Sequence, residues 1–464
     1  MSPRQPGDYH PNMSSPGNED AARIDRADAS RQASSASSLS LILRALRHRN
    51  YRLFYIGQSI SLIGTWITRI ATSWLVYRLT NSAFLLGFVA FASQIPMLLI
   101  APFAGVLVDR ANRRRILVIT QILSLLQSLA LAGLTFFHII DIYQIVALCV
   151  LQGLINALDN PARQAFVVEM VDDRADLANA IALNSSMVNA ARLIGPSIAG
   201  LLIAAWGEAL CFLIDAISYL AVVFSLLLMR LQPLPPATQQ DGHLHAFREG
   251  IRYSFGFPPI RSILLLTAVI SIMGMSYAVL MPLFATGIFH GGPRTLGFLM
   301  GASGCGALAG ALYLASRRSV LGLGRIIPVA AALCGLALVA FGASRIYWLS
   351  MVTLFIAGGA MITNFASANT LIQTIVDDSK RGRVMSLFGV AFLGMVPIGA
   401  LLAGSLATCV GPALTVQLTG AVCILAAIVF ARQLPTFRKL LHPIYVRKGI
   451  LPPAAAEVQL PAPD

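Results

Sequence analysis

Charged side chains are scarce in this sequence. They account for 12% of its 464 residues, whereas 56% of the residues are hydrophobic, and a soluble globular protein carries roughly 25% charged residues. A soluble fold of this length would have no interior large enough to hold so many apolar side chains. The shortage of charge therefore excludes an ordinary soluble protein and favours a protein embedded in a lipid bilayer.

Sequence patterns for nucleotides, metals and disulfides are missing as well. The chain has neither a P-loop nor a dinucleotide-binding glycine pattern, so it carries no ATP motor of its own. The six cysteines show no CxxC spacing and the seven histidines form no ligand cluster, so we expect no metal and no cofactor. We interpret the cysteines as small buried residues. A membrane-bound enzyme would need nucleophile, base or metal ligands clustered near the membrane surface, and we find no such cluster.

In place of charge the sequence has long apolar runs, such as LLGFVAFASQIPMLLIAPFAGVL. A transmembrane helix needs about 20 mostly apolar residues, and continuous runs favour helices over the ten-residue alternation of a membrane β-barrel. We predict an all-α membrane protein with twelve transmembrane helices. The predicted cores are 53–78, 84–108, 115–137, 142–167, 177–206, 209–230, 262–289, 295–315, 325–343, 346–374, 384–409 and 412–431.

The basic residues support this count. Of the 34 lysines and arginines, three fall in loops on one side of the predicted membrane and three fall inside spans, and the rest lie on the other side. This positive-inside bias predicts that both termini are cytoplasmic. We interpret the net charge of +14 as topology and contact with lipid headgroups, and we expect no nucleic-acid partner.

The chain divides into two similar halves. We predict a disordered cytoplasmic tail over 1–40, a six-helix bundle over 41–230, a cytoplasmic linker over 231–261, a second six-helix bundle over 262–433 and a cytoplasmic tail over 434–464. LGFVAFASQIPMLLIAPFAG aligns without a gap with LGFLMGASGCGALAGALYLA, and VDDRADLANAIALN aligns with VDDSKRGRVMSLFG. Pseudo-symmetric halves are a transporter architecture, with the binding site between the halves near the membrane midplane.

The loop between the second and third predicted spans, GVLVDRANRRRIL, resembles the signature GxLaDrxGrkxxl of the major facilitator superfamily. The matching positions are Gly105, Leu107, Asp109, Arg110, Arg113, Arg114 and Leu117. Asn112 replaces the second glycine, and Asn tolerates the left-handed conformation well. The resemblance implies a transporter that rocks between inward-open and outward-open states. It also implies a gating motif, in which Asp109 meets the positive N-terminal end of the eleventh span and the arginines lock the cytoplasmic side shut. That motif comprises Gly105, Asp109, Arg110, Arg113 and Arg114.

Three longer segments resemble the branch of this superfamily that contains the enterobactin exporter and related drug efflux proteins: RNYRLFYIGQSISLIGTWITRIATSWLVYRLTNSA, LDNPARQAFVVEMV and NAARLIGPSIAG. Antiporters of the superfamily often carry an Arg three residues before a Gln-Gly pair in the fourth span. Here Cys149 stands in that position before Gln152 and Gly153, and Ala191 and Ala199 stand where the fifth-span antiporter motif has glycines. The resemblance implies export and leaves proton antiport open.

Ionisable residues inside the spans are the candidates for proton coupling, because a charge in hydrocarbon is costly and usually functional. Asp159 and Arg163 lie four residues apart on one helix face and can pair. Asp159 could bind and release a proton as the hydration of the cavity changes, or the pair could be a static brace near the cytoplasmic end of the span. We interpret Asp215, on the peripheral sixth span, as a packing or capping residue.

Other polar residues in the spans are candidates for lining the substrate cavity. Arg69 could hold an anionic group of the substrate or be structural. Arg192 precedes Gly195 and Pro196, and we interpret it as a partner for the fourth-span polar group. The amides could bond the substrate or only hold helices together. The full set of cavity candidates is Arg69, Gln94, Gln152, Asn156, Asn160, Arg192, Asn364, Asn369 and Gln373.

These patterns predict a multi-pass secondary exporter in a bacterial cytoplasmic membrane, and not an enzyme. The predicted substrate is a small amphiphile, either a drug or a siderophore-like metabolite, moved by proton antiport through alternating access. The expected partners are this substrate, protons and membrane lipids, and we expect a monomer. Two alternatives stay open: a lysophospholipid flippase or importer of the same fold, and a non-transporting sensor.

Overall fold

The computed structural model describes residues 43–171, 173–230, 251–317, 319–448 and 450. The predicted tail over 1–40 and most of the predicted linker lie outside these residues. Within them the chain forms helices and no strand. Twelve helices are long, and we number them in chain order: α1 (Arg49–Thr80), α2 (Ala83–Arg110), α3 (Arg113–Phe136), α4 (Ile142–Met170), α5 (Leu177–Trp206), α6 (Glu208–Leu228), α7 (Pro258–Ile288), α8 (Pro293–Ala315), α9 (Leu323–Ala343), α10 (Tyr347–Ile375), α11 (Arg381–Val410) and α12 (Pro412–Arg447).

Eleven of these twelve helices in the described part of the chain are long and apolar enough to cross a membrane, and α1 is the exception. Arg52, Arg69 and Arg78 and several polar residues reduce the apolar character of α1. We count α1 as the twelfth crossing, because it has 32 residues and packs against α5 and α6 of the bundle. The predicted fold class, an all-α membrane protein, is confirmed.

Helix bounds and cysteine burial differ from the predictions at a few places. α7 begins inside the predicted linker, at Pro258, because proline fits the first turn of a helix. α12 continues through the first part of the predicted tail to Arg447, because Phe437 and Leu441 of that stretch are buried. Four cysteines are buried as predicted, whereas Cys305 and Cys409 are exposed on α8 and α11.

The helices form two six-helix halves, α1–α6 and α7–α12, which meet where α2 crosses α11 and where α5 crosses α8. We call the side of the bundle that holds Arg49 and Arg447 the terminal side, and the opposite side the far side. Both crossings are tight in the far-side part of the helices. A Cβ atom on Gly297 of α8 would lie 2.7 Å from the carbonyl oxygen of Pro196 in α5.

Toward the terminal side the close contact between α2 and α11 ends. The Cβ position of Gly394 in α11 still lies 2.8 Å from the side chain of Leu98 in α2. Farther along, no described atom lies within 4 Å of the Cβ positions of Gly105 in α2 and of Gly382 and Gly389 in α11. Among the described glycines, the close approaches between the two halves therefore lie on the far side and in the middle of the helices.

Candidate functional site

A buried carboxylate pairs with an arginine inside the first half. Asp159 of α4 accepts hydrogen bonds from Thr120 Oγ1 and Gln121 Nε2 of α3, both at 2.8 Å. The guanidinium of Arg163, one turn along α4, forms an ion pair with the same carboxylate and stays partly exposed. These three donors offset the cost of burying the charge of Asp159.

The polar network continues along α4 toward the middle of the bundle. Gln152 Nε2 donates to Ser124 Oγ of α3 and to Asn156 Oδ1, both at 3.2 Å. The other amide atom of Gln152, Oε1, is buried and has no hydrogen-bond partner among the described residues. An unpaired buried acceptor is costly, and among the described residues the amide oxygens of Gln121 and Asn364 are buried and unpaired in the same way.

Two arginines from different helices meet one aromatic ring. The guanidinium carbon of Arg69 in α1 lies 4.6 Å from the ring centre of Trp66, and that of Arg192 in α5 lies 5.8 Å from the same centre. Arg69 is exposed and Arg192 is half-buried. Sequence reasoning placed Arg192 beside the fourth-span polar group, whereas the structure places it at Trp66, which contacts Gly195.

Asp215 lies on α6, apart from the other charged residues. It is buried, and it accepts hydrogen bonds from Ser128 Oγ at 3.0 Å and Ser218 Oγ at 3.5 Å. A Cβ atom on Gly64 of α1 would lie 2.8 Å from its Oδ1 atom, so α1 packs directly against it. Among the described residues no lysine or arginine pairs with Asp215, and no three His, Cys, Asp or Glu side chains group into a metal site.

The remaining cavity candidates lie in several environments. Gln94 donates back to its own helix, and Asn160 donates to a methionine sulfur of α2. Asn364 is buried and donates to a carbonyl oxygen of α9 at 2.8 Å, so it joins α10 to α9. Asn369 and Gln373 are hydrogen-bonded to each other at 2.8 Å on α10, and Gln373 is exposed.

The predicted gating motif lies between α2 and α3. The side chains of Asp109 and Arg110 lie outside the described part of the structure. Arg113 Nη1 pairs with Glu169 Oε1 at the end of α4 at 2.7 Å, and Arg114 donates to a carbonyl oxygen of α6 at 3.0 Å. Glu169 was missed by sequence reasoning, although its position at the terminal-side end of α4, beside the basic loop, is a signal that could have identified it.

A second ionic cluster on the terminal side was also missed. Asp176, just before α5, is buried and binds the side chains of Arg44, Arg47 and His48, which precede α1. Burial alone would raise the pKa of Asp176, but the hydrogen bonds from His48, Arg47 and Arg44 outweigh it and lower the pKa to about 2. The cluster anchors the segment before α1 to the start of α5.

Comparisons with known proteins agree with this architecture. A family model described as "Transmembrane secretion effector" matches residues 41–443. The chain is 27% identical to the Staphyloferrin A transporter of Staphylococcus aureus, over 82% of this chain and 95% of that protein. It is 27% identical to the multidrug efflux pump Tap of Mycolicibacterium fortuitum (75% and 87% covered) and 23% identical to the enterobactin exporter EntS of Citrobacter koseri (87% and 96% covered).

A solved structure has the same fold. A bacterial homologue of the human lysosomal transporter Spinster, in an inward-facing and unoccupied conformation, matches with a TM-score of 0.68. The match covers 84% of this chain and 98% of that chain at 14% identity. A likeness at this identity shows the fold alone, which is that of a membrane transporter.

Proposed function

The chain belongs to the transmembrane secretion effector family of the major facilitator superfamily, and we propose that it exports a small amphiphilic molecule by proton antiport through alternating access. It is a multi-pass membrane transporter of small molecules and not an enzyme. In our proposal it lies in a bacterial cytoplasmic membrane as a monomer, with its terminal side facing the cytoplasm.

One observation carries the proposal: polar side chains lie in the middle of helices whose far-side parts are held together by close glycine contacts, with no such contact between α2 and α11 at the described terminal-side glycines. Gly87 and Gly404 bring α2 and α11 together on the far side, while Arg69, Gln152 and Arg192 lie near the middle of α1, α4 and α5. A substrate that enters from the terminal side reaches these side chains. Rocking of the two halves would then open the far side around the same site.

The relatives support export of a small organic molecule. Their names describe a transporter of staphyloferrin A, a multidrug efflux pump and an exporter of enterobactin. A drug or a siderophore-like metabolite fits all three names, and each relative is covered over most of its length.

We assign the proton-binding role to Asp159. Its one charged partner is Arg163, on the same helix, so a proton on the carboxylate would free this arginine without separating two helices. Thr120 and Gln121 would remain as hydrogen-bond partners. A static brace at this position would contribute to stability but not to coupling.

Transport by inside-out vesicles tests this proposal. We expect the wild type to concentrate a fluorescent amphiphile in the vesicle lumen only when a proton gradient is imposed. Asp159→Asn should abolish this accumulation yet still allow movement down the amphiphile's own gradient. Asp378→Asn, which removes an exposed carboxylate paired with Arg381, is the matched control and should behave as the wild type.

Other outcomes would contradict parts of the proposal. Full gradient-driven accumulation by Asp159→Asn would remove this residue from the proton path. Loss of both kinds of movement together with a lower melting temperature would identify a static brace. Movement of lysophospholipid but of no other amphiphile would favour the flippase alternative.

A further inference from the structure

Two positive charges share one aromatic side chain at the middle of the first half. Arg69 and Arg192 approach the indole of Trp66 to 4.6 Å and 5.8 Å, and they lie near the centres of a 32-residue and a 30-residue helix. Both therefore sit close to the membrane midplane. Cation–π contact stabilises each guanidinium but supplies no negative charge, so the two cations still repel each other.

No described carboxylate neutralises this pair. Neither arginine forms an ion pair with any described residue. Asp159 is bound to Arg163, and Asp215 is held by hydroxyl groups. From position 251 to 450 the sequence contains two acidic residues, Asp377 and Asp378, and both lie between α10 and α11 on the terminal side. Two positive charges near the membrane midplane without a counterion are costly and point to a function.

The two arginines lie beside the interface between the two halves. Arg69 is exposed although it lies near the middle of α1, and Arg192 of α5 is half-buried. The backbone of Arg192 lies at the α5–α8 crossing, where a Cβ atom on Gly304 would be 3.3 Å from its carbonyl oxygen. The adjacent second-half polar pair is Tyr277 and Ser303, whose hydroxyl oxygens are 2.5 Å apart.

We propose that Arg69, Arg192 and Trp66 form an anion subsite, and that the transported molecule is an organic anion with a carboxylate or similar oxyanion beside an apolar group. The inference rests on the proposed function as an exporter and names its substrate class. An anion between the two guanidinium groups removes their repulsion, and a guanidinium keeps its in-plane N–H groups for an oxyanion while it lies over a ring. An organic cation would meet two like charges and no opposing carboxylate.

Binding of three matched probes to the full-length protein in lipid nanodiscs tests this inference. The probes are pyrenebutyrate, the neutral pyrenebutanol and a pyrenebutyl trimethylammonium cation. We expect pyrenebutyrate to bind about tenfold or more tightly than the alcohol, as charge-assisted hydrogen bonds require. Arg69→Gln and Arg192→Gln should each remove that advantage and leave binding of the alcohol unchanged. Arg69→Lys should retain part of it, and Arg294→Gln, which removes an exposed arginine in the first turn of α8 on the far side, should retain all of it.

Equal affinity of the wild type for all three probes would overturn the inference, whether or not the glutamine variants fold. So would unchanged pyrenebutyrate binding by a folded Arg69→Gln, Arg192→Gln double variant. Selective anion binding without any gradient-driven transport would instead count against the proposed function and leave the anion subsite standing. Gradient-driven export of the cation, with no preference for the anion, would leave the exporter standing and remove the subsite.

Discussion

The carbonyl oxygen of Ala400 lies 2.5 Å from the point where a Cβ atom on Gly87 would be placed, so α2 and α11 cross with no room for a side chain. The Cα atom of Gly404 lies 2.9 Å from the same point. Gly200 and Gly297 form an equivalent contact where α5 crosses α8. Since both crossings lie on the far side, these glycines hold that side closed.

Gly87→Val should therefore shift the protein away from the state with a closed far side. Overpacking a close contact costs about 1–3 kcal/mol, and a cost of this size shifts a two-state population by about 5- to 150-fold. Ser197 of α5 lies at the other crossing, where its Oγ atom is 2.5 Å from the Cβ position of Gly301. With Cys305 and Cys409 replaced, a cysteine substituted for Ser197 should react faster with a maleimide in Gly87→Val.

Gly133→Ala is the control for this prediction, because no described atom lies within 4 Å of the Cβ position of Gly133. It should leave the labelling rate unchanged. Equal labelling rates in the wild type and in Gly87→Val would show that α2 and α11 bend locally to accommodate the valine. The two halves would then not move as units.

The ion cluster at Asp176 should stabilise the terminal side of the first half. Asp176→Asn leaves Arg44, Arg47 and His48 without their shared carboxylate, and we expect the melting temperature to fall by several degrees. Asp378→Asn, which removes one partner of an exposed pair, should change it little. A melting temperature for Asp176→Asn equal to that of the wild type would mean that the cluster orders side chains without stabilising the fold.

The stabilisation by Asp176 should also depend on pH in one direction. Its pKa is about 2 in the folded protein, below the value of about 3.9 for a free aspartate. A carboxylate with a lowered pKa stabilises the fold fully above the unfolded-state pKa, and this contribution is lost as the pH falls through the folded-state value. Scanning fluorimetry should show a constant difference between wild type and Asp176→Asn above about pH 5, which shrinks as the pH falls from about 4 toward 2.

The sequence was sufficient for the fold because its signals are local. Apolar runs and the positions of the arginines depend on residues close together in the chain, and the repeat that pairs Gly87 with Gly297 needs only the comparison of two short segments. The α12 extension was missed because its apolar residues alternate with basic ones, so hydropathy falls before the helix ends at Arg447.

The contacts of the site were harder to predict from the sequence, because they join segments that are far apart in the chain. Asp159 and Arg163 could be paired from their spacing on one helix. The partners of Arg192 and Asp176 come from α1 and from the segment before it. No local pattern specifies which helix a buried polar side chain will face, so those pairings needed the structure.

The pair of Arg113 and Glu169 should be energetically coupled, since their side chains are 2.7 Å apart and both are mostly buried. We expect a double-mutant cycle with Arg113→Gln and Glu169→Gln to give a coupling energy on the order of 1 kcal/mol in thermal unfolding. The charge-reversed double variant, Arg113→Glu with Glu169→Arg, should recover part of the stability. Strictly additive effects would show that the two residues act independently.

Asn364 should hold two helices together without contacting the substrate. Its amide is buried and bonds a carbonyl oxygen of α9, and interhelical hydrogen bonds in membranes contribute about 0.6 kcal/mol on average. Asn364→Leu should therefore lower stability in denaturant by about this amount and leave the transport rate and the substrate KM unchanged. Gln152→Leu removes a half-buried amide that donates to Ser124 of α3. It should lower stability by a similar amount and, because Gln152 belongs to the proposed substrate site, it should also raise KM. A raised KM in Asn364→Leu would place this residue on the substrate path, and it would mean that α9 and α10 separate during the transport cycle to expose it.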